Sequence, residues 1–406
     1  MTKEEAERKL EQNGQNHILR FYDELSKKQQ QELLTQIEET DFQQIKQAQG
    51  IETARGNITP IEVMQREEIT RREEELTKIG LEVLKQGKVG LVLLAGGMGT
   101  RLGSDDPKGM YDIGEKRPQP IFSRIIANLL EVTTRSETVL NLFIMTSEKN
   151  HDKTVTFFQE NEYFGYPKEY IYFFPQEMAP ATDFEGKVYL EEKGRIATSP
   201  NGNGGWFTSM GKAGLWNVLK EQNILWLNVF AVDNVLQRMA DPIFIGAVTA
   251  GNYATGSKVI KKADPEEKVG VICLEDGKPS IVEYYELTQQ MLTEKGPDGT
   301  LSYNFGVILN YLFHVEELYS IVQKKLPLHV VEKKIPYINK DGQRIKPQQP
   351  NGHKYESLIL DMIHFMDHAL AFEVIREKEF APIKNKTGID SVESAKELLR
   401  KNQIEV

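Results

Sequence analysis

Five glycines and two cations crowd one short stretch, Gly96-Gly-Met-Gly-Thr-Arg-Leu-Gly103-Ser-Asp-Asp-Pro-Lys-Gly109. Gly96, Gly97 and Gly99 remove side chains where a backbone must approach a ligand closely, and amides exposed in such a loop can donate to phosphate oxygens. Arg101 and Lys108 add a local positive charge. The chemistry this suits is the binding of phosphate groups. It is not one of the two commonest phosphate loops. A dinucleotide fingerprint starting at Gly97 needs glycine at 102, where Leu102 stands, and a Walker loop needs Gly-Lys followed by Ser or Thr, where the order is Pro107-Lys108-Gly109.

Other reactive residue types carry less. Asp233 ends the apolar run ILWLNVFAVD, so spacing alone leaves it equally a metal ligand or a helix cap. Cys273 is flanked by Val271, Ile272 and Leu274 and is expected to be a buried strand thiol, not a nucleophile. His364 and His368 lie four apart beside Asp361, but no zinc pattern completes the set, and an exposed helix face is the simpler expectation. Trp206, Trp216 and Trp226 are expected in core or interface positions.

The elements that must hold these residues are visible in the hydrophobic patterning. Residues 1–88 are rich in Glu, Gln, Lys and Leu, and their apolar positions recur at helical steps, as in Leu19, Tyr22, Leu25 and then Leu33, Leu34, Ile37. Thr59-Pro60 reads as a helix entry, and the charged run Glu67–Glu75 as a solvated helix face. At Lys88 the texture changes to VGLVLLAGG, a continuous apolar run ending in glycines, as for a buried parallel strand feeding a tight turn. Strand-like runs follow at 140–146, 171–174, 224–232, 257–260, 269–274, 280–284 and 305–309, separated by helix-like stretches at 121–133, 151–161 and 207–222; a further helix is expected over 355–375.

This alternation predicts an α/β protein with a doubly wound, mixed, Rossmann-like sheet. Three regions are expected: a helical N-terminal region at 1–88, a central nucleotide-binding catalytic domain at 89–345, and a short C-terminal segment at 346–406. Ligands of such sheets bind beyond the carboxyl ends of the strands.

Composition limits the functional classes. The 406 residues carry 50 Lys and Arg against 60 Asp and Glu, a formal charge of −10, so a nucleic-acid-coating protein is not expected. An anionic ligand must therefore be held by placed cations. One cysteine excludes an internal disulfide framework. The opening MTKEEAERKLEQNGQNHILRF lacks a signal-like apolar stretch and no run approaches 18 apolar residues, so the expectation is a cytoplasmic protein without a membrane partner.

The glycine loop with Pro107-Lys-Gly-Met-Tyr-Asp112 resembles the signature of the UDP-sugar pyrophosphorylases, most closely the eukaryotic-type UDP-N-acetylglucosamine pyrophosphorylases. The likeness continues in order through Phe174-Pro-Gln176, Pro200-Asn-Gly-Asn-Gly-Gly205, Val232-Asp-Asn234, Val269-Gly-Val271, Val282-Glu-Tyr284, Lys333-Lys-Ile-Pro336, Lys346-Pro347 and Phe380-Ala-Pro-Ile-Lys384-Asn385. It covers nearly the whole chain.

The resemblance implies a nucleotide-diphospho-sugar transferase core and uridylyl transfer from UTP to a sugar 1-phosphate. It implies catalytic roles for Arg101, Lys108 and Lys384, with Mg²⁺ as cofactor on Asp233. Leu94, Ala95, Gly96, Gly97, Gln176 and the Gly202 backbone fall to nucleotide binding, Gln176 and Gly202 reading the uracil edge. Asn203, Gly270 and Glu283 fall to the sugar, although Glu283 is equally placed as an exposed strand residue.

Four positions, Phe305, Val307, Asn201 and Pro175, depart from the family pattern. Asn304-Phe-Gly-Val307 stands where the N-acetylglucosamine enzymes have Asn-Ala-Gly-Asn, so Val307 cannot make the last asparagine's hydrogen bond to sugar and the sugar stays open. Asn201 replaces an aspartate and Pro175 a glutamine. A non-catalytic UTP or UDP-sugar binding regulator is the alternative function, disfavoured by retention of all four charged residues. Oligomeric state is not inherited from the resemblance.

Overall fold

The computed structural model describes residues 1–50, 55–297, 299–324 and 326–406. Its main sheet is built largely from strands that overlap the apolar runs, with a further strand at Ala369–Glu373. They are β1 (Val89–Leu94), β2 (Leu142–Thr146), β3 (Ile171–Pro175), β4 (Trp226–Ala231), β5 (Thr255–Lys261), β6 (Val271–Glu275), β7 (Lys278–Val282), β8 (Phe305–His314) and β9 (Ala369–Glu373). Their order is β3-β2-β1-β4-β8-β5-β9, with the two-residue strand Val63–Met64 beyond β9 and β6-β7 branching from β8. Neighbours β3, β2, β1 and β4 are parallel, whereas β8 runs antiparallel to both β4 and β5. The sheet is mixed, as expected. Every residue of β1 and β2 is buried, which is why both read as unbroken apolar runs.

The chain divides into two compact units that ignore the expected boundaries at 88 and 345. One unit comprises Met1–Ala54, Glu177–Gly205 and Leu326–Ile359; the other comprises Arg55–Gln176, Trp206–Lys325 and Leu360–Val406. In the first, the amphipathic helices Lys3–Asn13 and Lys27–Glu39 pack Leu10, Leu33 and Ile37 against Val188, Leu190, Ile196 and Tyr355. Short strands Met178–Pro180 with Thr198–Pro200, and His329–Lys333 with Gly352–Glu356, complete it. N-terminal sequence therefore needs partners from two later segments to bury its apolar face. Helix periodicity does not reveal such partners.

In the second unit, the helix Glu73–Lys85 lies directly on the helix Pro242–Ala250. A Cβ at Gly80 would sit 1.8 Å from the Pro242 carbonyl oxygen, and one at Gly246 would sit 1.9 Å from that of Leu76. Residues 55–88 thus belong to the sheet-bearing unit.

Several local expectations are corrected. Thr59 caps no helix: Ile58–Thr59 pairs with Leu274–Glu275 of β6, and the next helix starts at Arg66. The stretch 207–222 is two helices, Trp206–Lys212 and Trp216–Glu221, divided where Gly214 adopts φ +75°. The expected helix over 355–375 is the end of a strand, a helix at Ile359–His364, and β9. His368 therefore lies beyond the helix that carries His364. Cys273 is buried in β6, with burial pushing its thiol up to about 12, and Trp206 and Trp226 are buried.

Candidate functional site

The loop after β1 is set by hydrogen bonds that leave some of its amides available. Ala95 N–H donates to the Met145 carbonyl at 2.8 Å, and the Leu94 carbonyl accepts from Val232 N–H at 3.1 Å. Leu94 and the Ala95 amide are therefore committed to the sheet, which narrows the expected backbone donors to the glycines that follow. Gly99 N–H donates to Asp106 and Lys108 N–H to Gly97, tying the loop across its neck. Gly103, at φ +79°, closes the short turn Thr100–Leu102 that carries Arg101. Arg101 is exposed, and among the described residues no ion pair engages it.

Asn150 supports this loop from beneath, and sequence reasoning missed it. It is fully buried, its Nδ2 donating to the Ala95 carbonyl at 3.0 Å and the Gly97 carbonyl at 3.4 Å while its Oδ1 accepts from Ser147 N–H at 2.7 Å. The only signal in the sequence was an asparagine before a helix, which reads as a cap. Gly96 faces Gln176: a Cβ at Gly96 would stand 2.4 Å from Gln176 Oε1, so only glycine lets that side chain lie across the loop. Gln176 itself follows β3 and donates its N–H to the Thr146 carbonyl at 2.8 Å. The carboxyl ends of β1, β2 and β3 thus bring Gly96, Ser147 and Gln176 together.

Asp233 follows β4, the parallel neighbour of β1. Its Oδ2 is 3.8 Å from Lys108 Nζ, with side chains 26% and 16% exposed. Burial pushes the Lys108 ammonium below its ordinary value; Asp233 opposes this, and Lys384 and Arg101 depress it further. The four residues named from the sequence therefore share one electrostatic field.

Lys384 is delivered there by backbone stitching between distant segments. Ile383 N–H donates to the Asp233 carbonyl at 2.8 Å, Ala381 N–H donates to Asn234 Oδ1 at 2.9 Å, and Asn234 Nδ2 donates to the Glu379 carbonyl at 2.7 Å. Buried Asn234, named in the sequence only as part of the Val232-Asp-Asn234 motif, is the second residue whose role the sequence did not reveal.

Among the described residues no three histidine, cysteine or carboxylate side chains stand together as a metal cage. Asp233 offers one hard carboxylate. That suits an ion such as Mg²⁺, which keeps few protein ligands and completes its shell with water and phosphate oxygens.

Gly270, just before β6, and Glu283, just after β7, are close to each other and to Val307 of β8. A Cβ at Gly270 would lie 3.6 Å from Val307 Cγ2 and 3.7 Å from Glu283 Cδ, and the Gly270 carbonyl accepts from Val307 N–H at 2.9 Å. Gly202 and Asn203 belong to the other unit. There Gly202 adopts φ +80°, where a Cβ would meet the Ser357 carbonyl at 2.2 Å, and Asn203 Oδ1 accepts from Ile359 N–H at 2.9 Å. No helix among the described residues is long and apolar enough to cross a membrane.

The family described as "UTP--glucose-1-phosphate uridylyltransferase" matches residues 24–405. The UDP-N-acetylhexosamine pyrophosphorylase-like protein 1 of Mus musculus is 34% identical over 410 residues, covering 94% of this chain and 80% of that protein. The UDP-N-acetylglucosamine pyrophosphorylase of Saccharomyces cerevisiae is 32% identical over 92% of this chain and 84% of its own length. The crystal structure of the uridine diphosphate N-acetylglucosamine pyrophosphorylase of Trypanosoma brucei superposes with a TM-score of 0.84 at 26% identity, covering 97% of this chain and 83% of that one. Sequence match and shared fold agree with the glycine loop and its cations: the chain belongs to the UTP--glucose-1-phosphate uridylyltransferase family of UDP-sugar pyrophosphorylases.

Proposed function

We propose that this enzyme joins UTP to an N-acetylhexosamine 1-phosphate, or a related hexose 1-phosphate, to give a UDP-sugar and pyrophosphate. The observation that carries the reading is the gathering of Arg101, Lys108, Asp233 and Lys384 in one field beyond β1 and β4. In the reaction a phosphate oxygen of the sugar 1-phosphate bonds to the α-phosphorus of UTP. The bond from that phosphorus to the bridging oxygen breaks, and pyrophosphate leaves with the electron pair. Such transfers need little covalent help from protein; they need alignment and neutralised charge.

In this reading the free amides of the glycine loop, with Arg101, take the β- and γ-phosphates. Lys108 exchanges its contact with Asp233 for phosphate and steadies the departing pyrophosphate. Lys384 grips the sugar phosphate or the α-phosphate and stabilises the charge that builds there. Gln176 places both a donor and an acceptor toward the nucleotide base. Asp233 would hold Mg²⁺, whose chemistry when bound is to neutralise phosphate oxygens. Gly270 and Glu283 line a sugar subsite where β6 begins and β7 ends. A cytoplasmic setting fits a chain whose one cysteine is a buried thiol.

The test is pyrophosphate release with UTP, Mg²⁺ and a panel of glucose, galactose, N-acetylglucosamine and N-acetylgalactosamine 1-phosphates. Release with at least one N-acetylhexosamine 1-phosphate is expected. Binding of UTP without release from any of them would leave a binding protein, and preference for GTP or TTP would remove the base assignment.

A further inference from the structure

We propose that Asp390 is a positioning residue for Lys384, holding its ammonium in place before the reaction and releasing it to phosphate. The inference rests on the reading of Lys384 as a transfer cation. Lys384 Nζ and Asp390 Oδ2 are 3.1 Å apart, and the two side chains are 37% and 26% exposed.

The carboxylate's place is dictated by backbone. Lys384 N–H and Asn385 N–H both donate to the Asp390 carbonyl, at 2.6 and 3.0 Å. Asn385 Nδ2 donates to the Ile389 carbonyl at 3.1 Å, and Val392 N–H donates to the Asn385 carbonyl at 3.1 Å. The segment 384–391 is thus pinched shut at its neck, with Asp390 in the left-handed region at φ +52°. Both ends of the pinch are anchored. Ile383 is bonded to the Asp233 carbonyl, and buried Ser391 caps the helix Val392–Lys401, whose Val392, Ala395 and Leu399 lie in the core. A lysine on a free loop would sample many rotamers, whereas this one has its ammonium tied to a carboxylate that the fold fixes.

Magnitudes favour exchange over permanent pairing. A partly exposed ion pair contributes about 0–1 kcal/mol, so little is lost when Asp390 lets go. A phosphate carrying more charge than a carboxylate then outcompetes it for the same ammonium. Before substrate arrives, Asp390 also offsets the charge of Lys384, one of the two cations whose field depresses Lys108.

The experiment compares Asp390→Asn, Asp390→Gly, Lys384→Met and the double variant Asp390→Asn/Lys384→Met in single-turnover and steady-state assays with UTP, Mg²⁺ and N-acetylglucosamine 1-phosphate. Asparagine and glycine both tolerate φ > 0, so the pinched loop survives in each. Each Asp390 variant is expected to lower kcat by about two- to fivefold, the range a pair of this strength can supply, with the KM for UTP within about twofold of wild type. In the Lys384→Met background Asp390→Asn should have no further effect. Unchanged or increased kcat in both Asp390 variants overturns the proposal, and so does an undiminished loss in the Lys384→Met background, which marks a separate structural role. If Lys384→Met itself turns over normally, the reading of Lys384 fails first. Loss in Lys384→Met without loss in Asp390→Asn overturns the positioning role alone.

Discussion

Lys108 Nζ stands 3.8 Å from Asp233 Oδ2, so the carboxylate suited to a metal is also the neighbour that helps a largely buried lysine keep its proton. The pair is long for a hydrogen bond. It is an electrostatic contact that binding of nucleotide phosphate and cation can separate.

Lys108→Met should stabilise the fold while removing activity. Burial holds the folded-state pKa of Lys108 below the value of 10.5 that an unfolded chain allows. The unfolded state therefore binds this proton more tightly, and at neutral pH the group works against folding; its penalty fades as pH rises through the folded pKa toward 10.5. Methionine removes the penalty, so Tm at pH 7 should rise, while turnover falls by about a hundredfold or more. Thermal melts and pyrophosphate release check both. A lower Tm would mean that the Asp233 contact outweighs desolvation. The same shift places the alkaline limb of kcat/KM for UTP below the ordinary lysine range, and Lys108→Arg should abolish that limb in whatever activity it retains.

Asn150→Asp separates the loop's support from its shape. Aspartate keeps the acceptor for Ser147 N–H but loses the donors to the Ala95 and Gly97 carbonyls, which then stand unpaired beside a new negative charge. Loss of a buried donor costs about 1–3 kcal/mol, so the KM for UTP should rise by about tenfold or more. Steady-state kinetics with varied UTP read this directly. An unchanged KM would show that the glycine loop keeps its conformation without Asn150.

What the sequence displayed and what it hid follow from range. β1 was legible because a strand buried on both faces is one apolar run, and Arg101 and Lys108 were legible because they share its loop. The meeting of Asp233 with Lys384 has no local signature. It depends on Asn234 and Ile383 bonding across about 150 residues of chain, and it emerged from family resemblance. The stretch 355–375 failed for a related reason. Its Leu, Ile and Met residues recur at helical steps, but Ala369–Glu373 pairs in parallel with β5, and sheet pairing overrides the local pattern. Two-residue strands such as Ile58–Thr59 are too short to leave a period at all.

Lys258→Met should destabilise the protein severely. Lys258 is fully buried in β5, and its Nζ donates to Asp241 Oδ2 at 2.8 Å, Glu379 Oε2 at 2.6 Å and the Arg238 carbonyl at 3.1 Å. Burial pushes Glu379 up; at Asp241 the same burial is outweighed by Lys258 and Arg238, which hold it below its usual range. Removing the shared cation strands both carboxylates, at a cost of about 3–5 kcal/mol. Adding Asp241→Asn and Glu379→Gln should recover more than half of the loss, as urea unfolding can show. Because the Glu379 carbonyl accepts from Asn234, the single variant should also lose turnover at temperatures well below its own melting point.

Val307→Asn tests which sugar the enzyme is built for. Val307 and Ile281 put methyl groups 3.6 and 3.0 Å from where a Cβ on Gly270 would stand, and Glu283 Cδ lies at 3.7 Å from that point, so one carboxylate is set against an apolar wall. An apolar wall does not discriminate strongly between hydroxyl arrangements, whereas a site with a placed amide rejects sugars that leave it unpaired. Asparagine at 307 should therefore sharpen preference, raising the ratio of kcat/KM for N-acetylglucosamine 1-phosphate over glucose 1-phosphate by about tenfold while the KM for UTP stays constant. Gly270→Ala supplies the steric control: its methyl crowds Ile281 and should raise the KM for every sugar phosphate alike. If Val307→Asn leaves the ratio unchanged while Gly270→Ala raises KM, the subsite is correctly located and selectivity resides elsewhere in it. If neither variant alters sugar kinetics, the subsite does not lie on β6–β8.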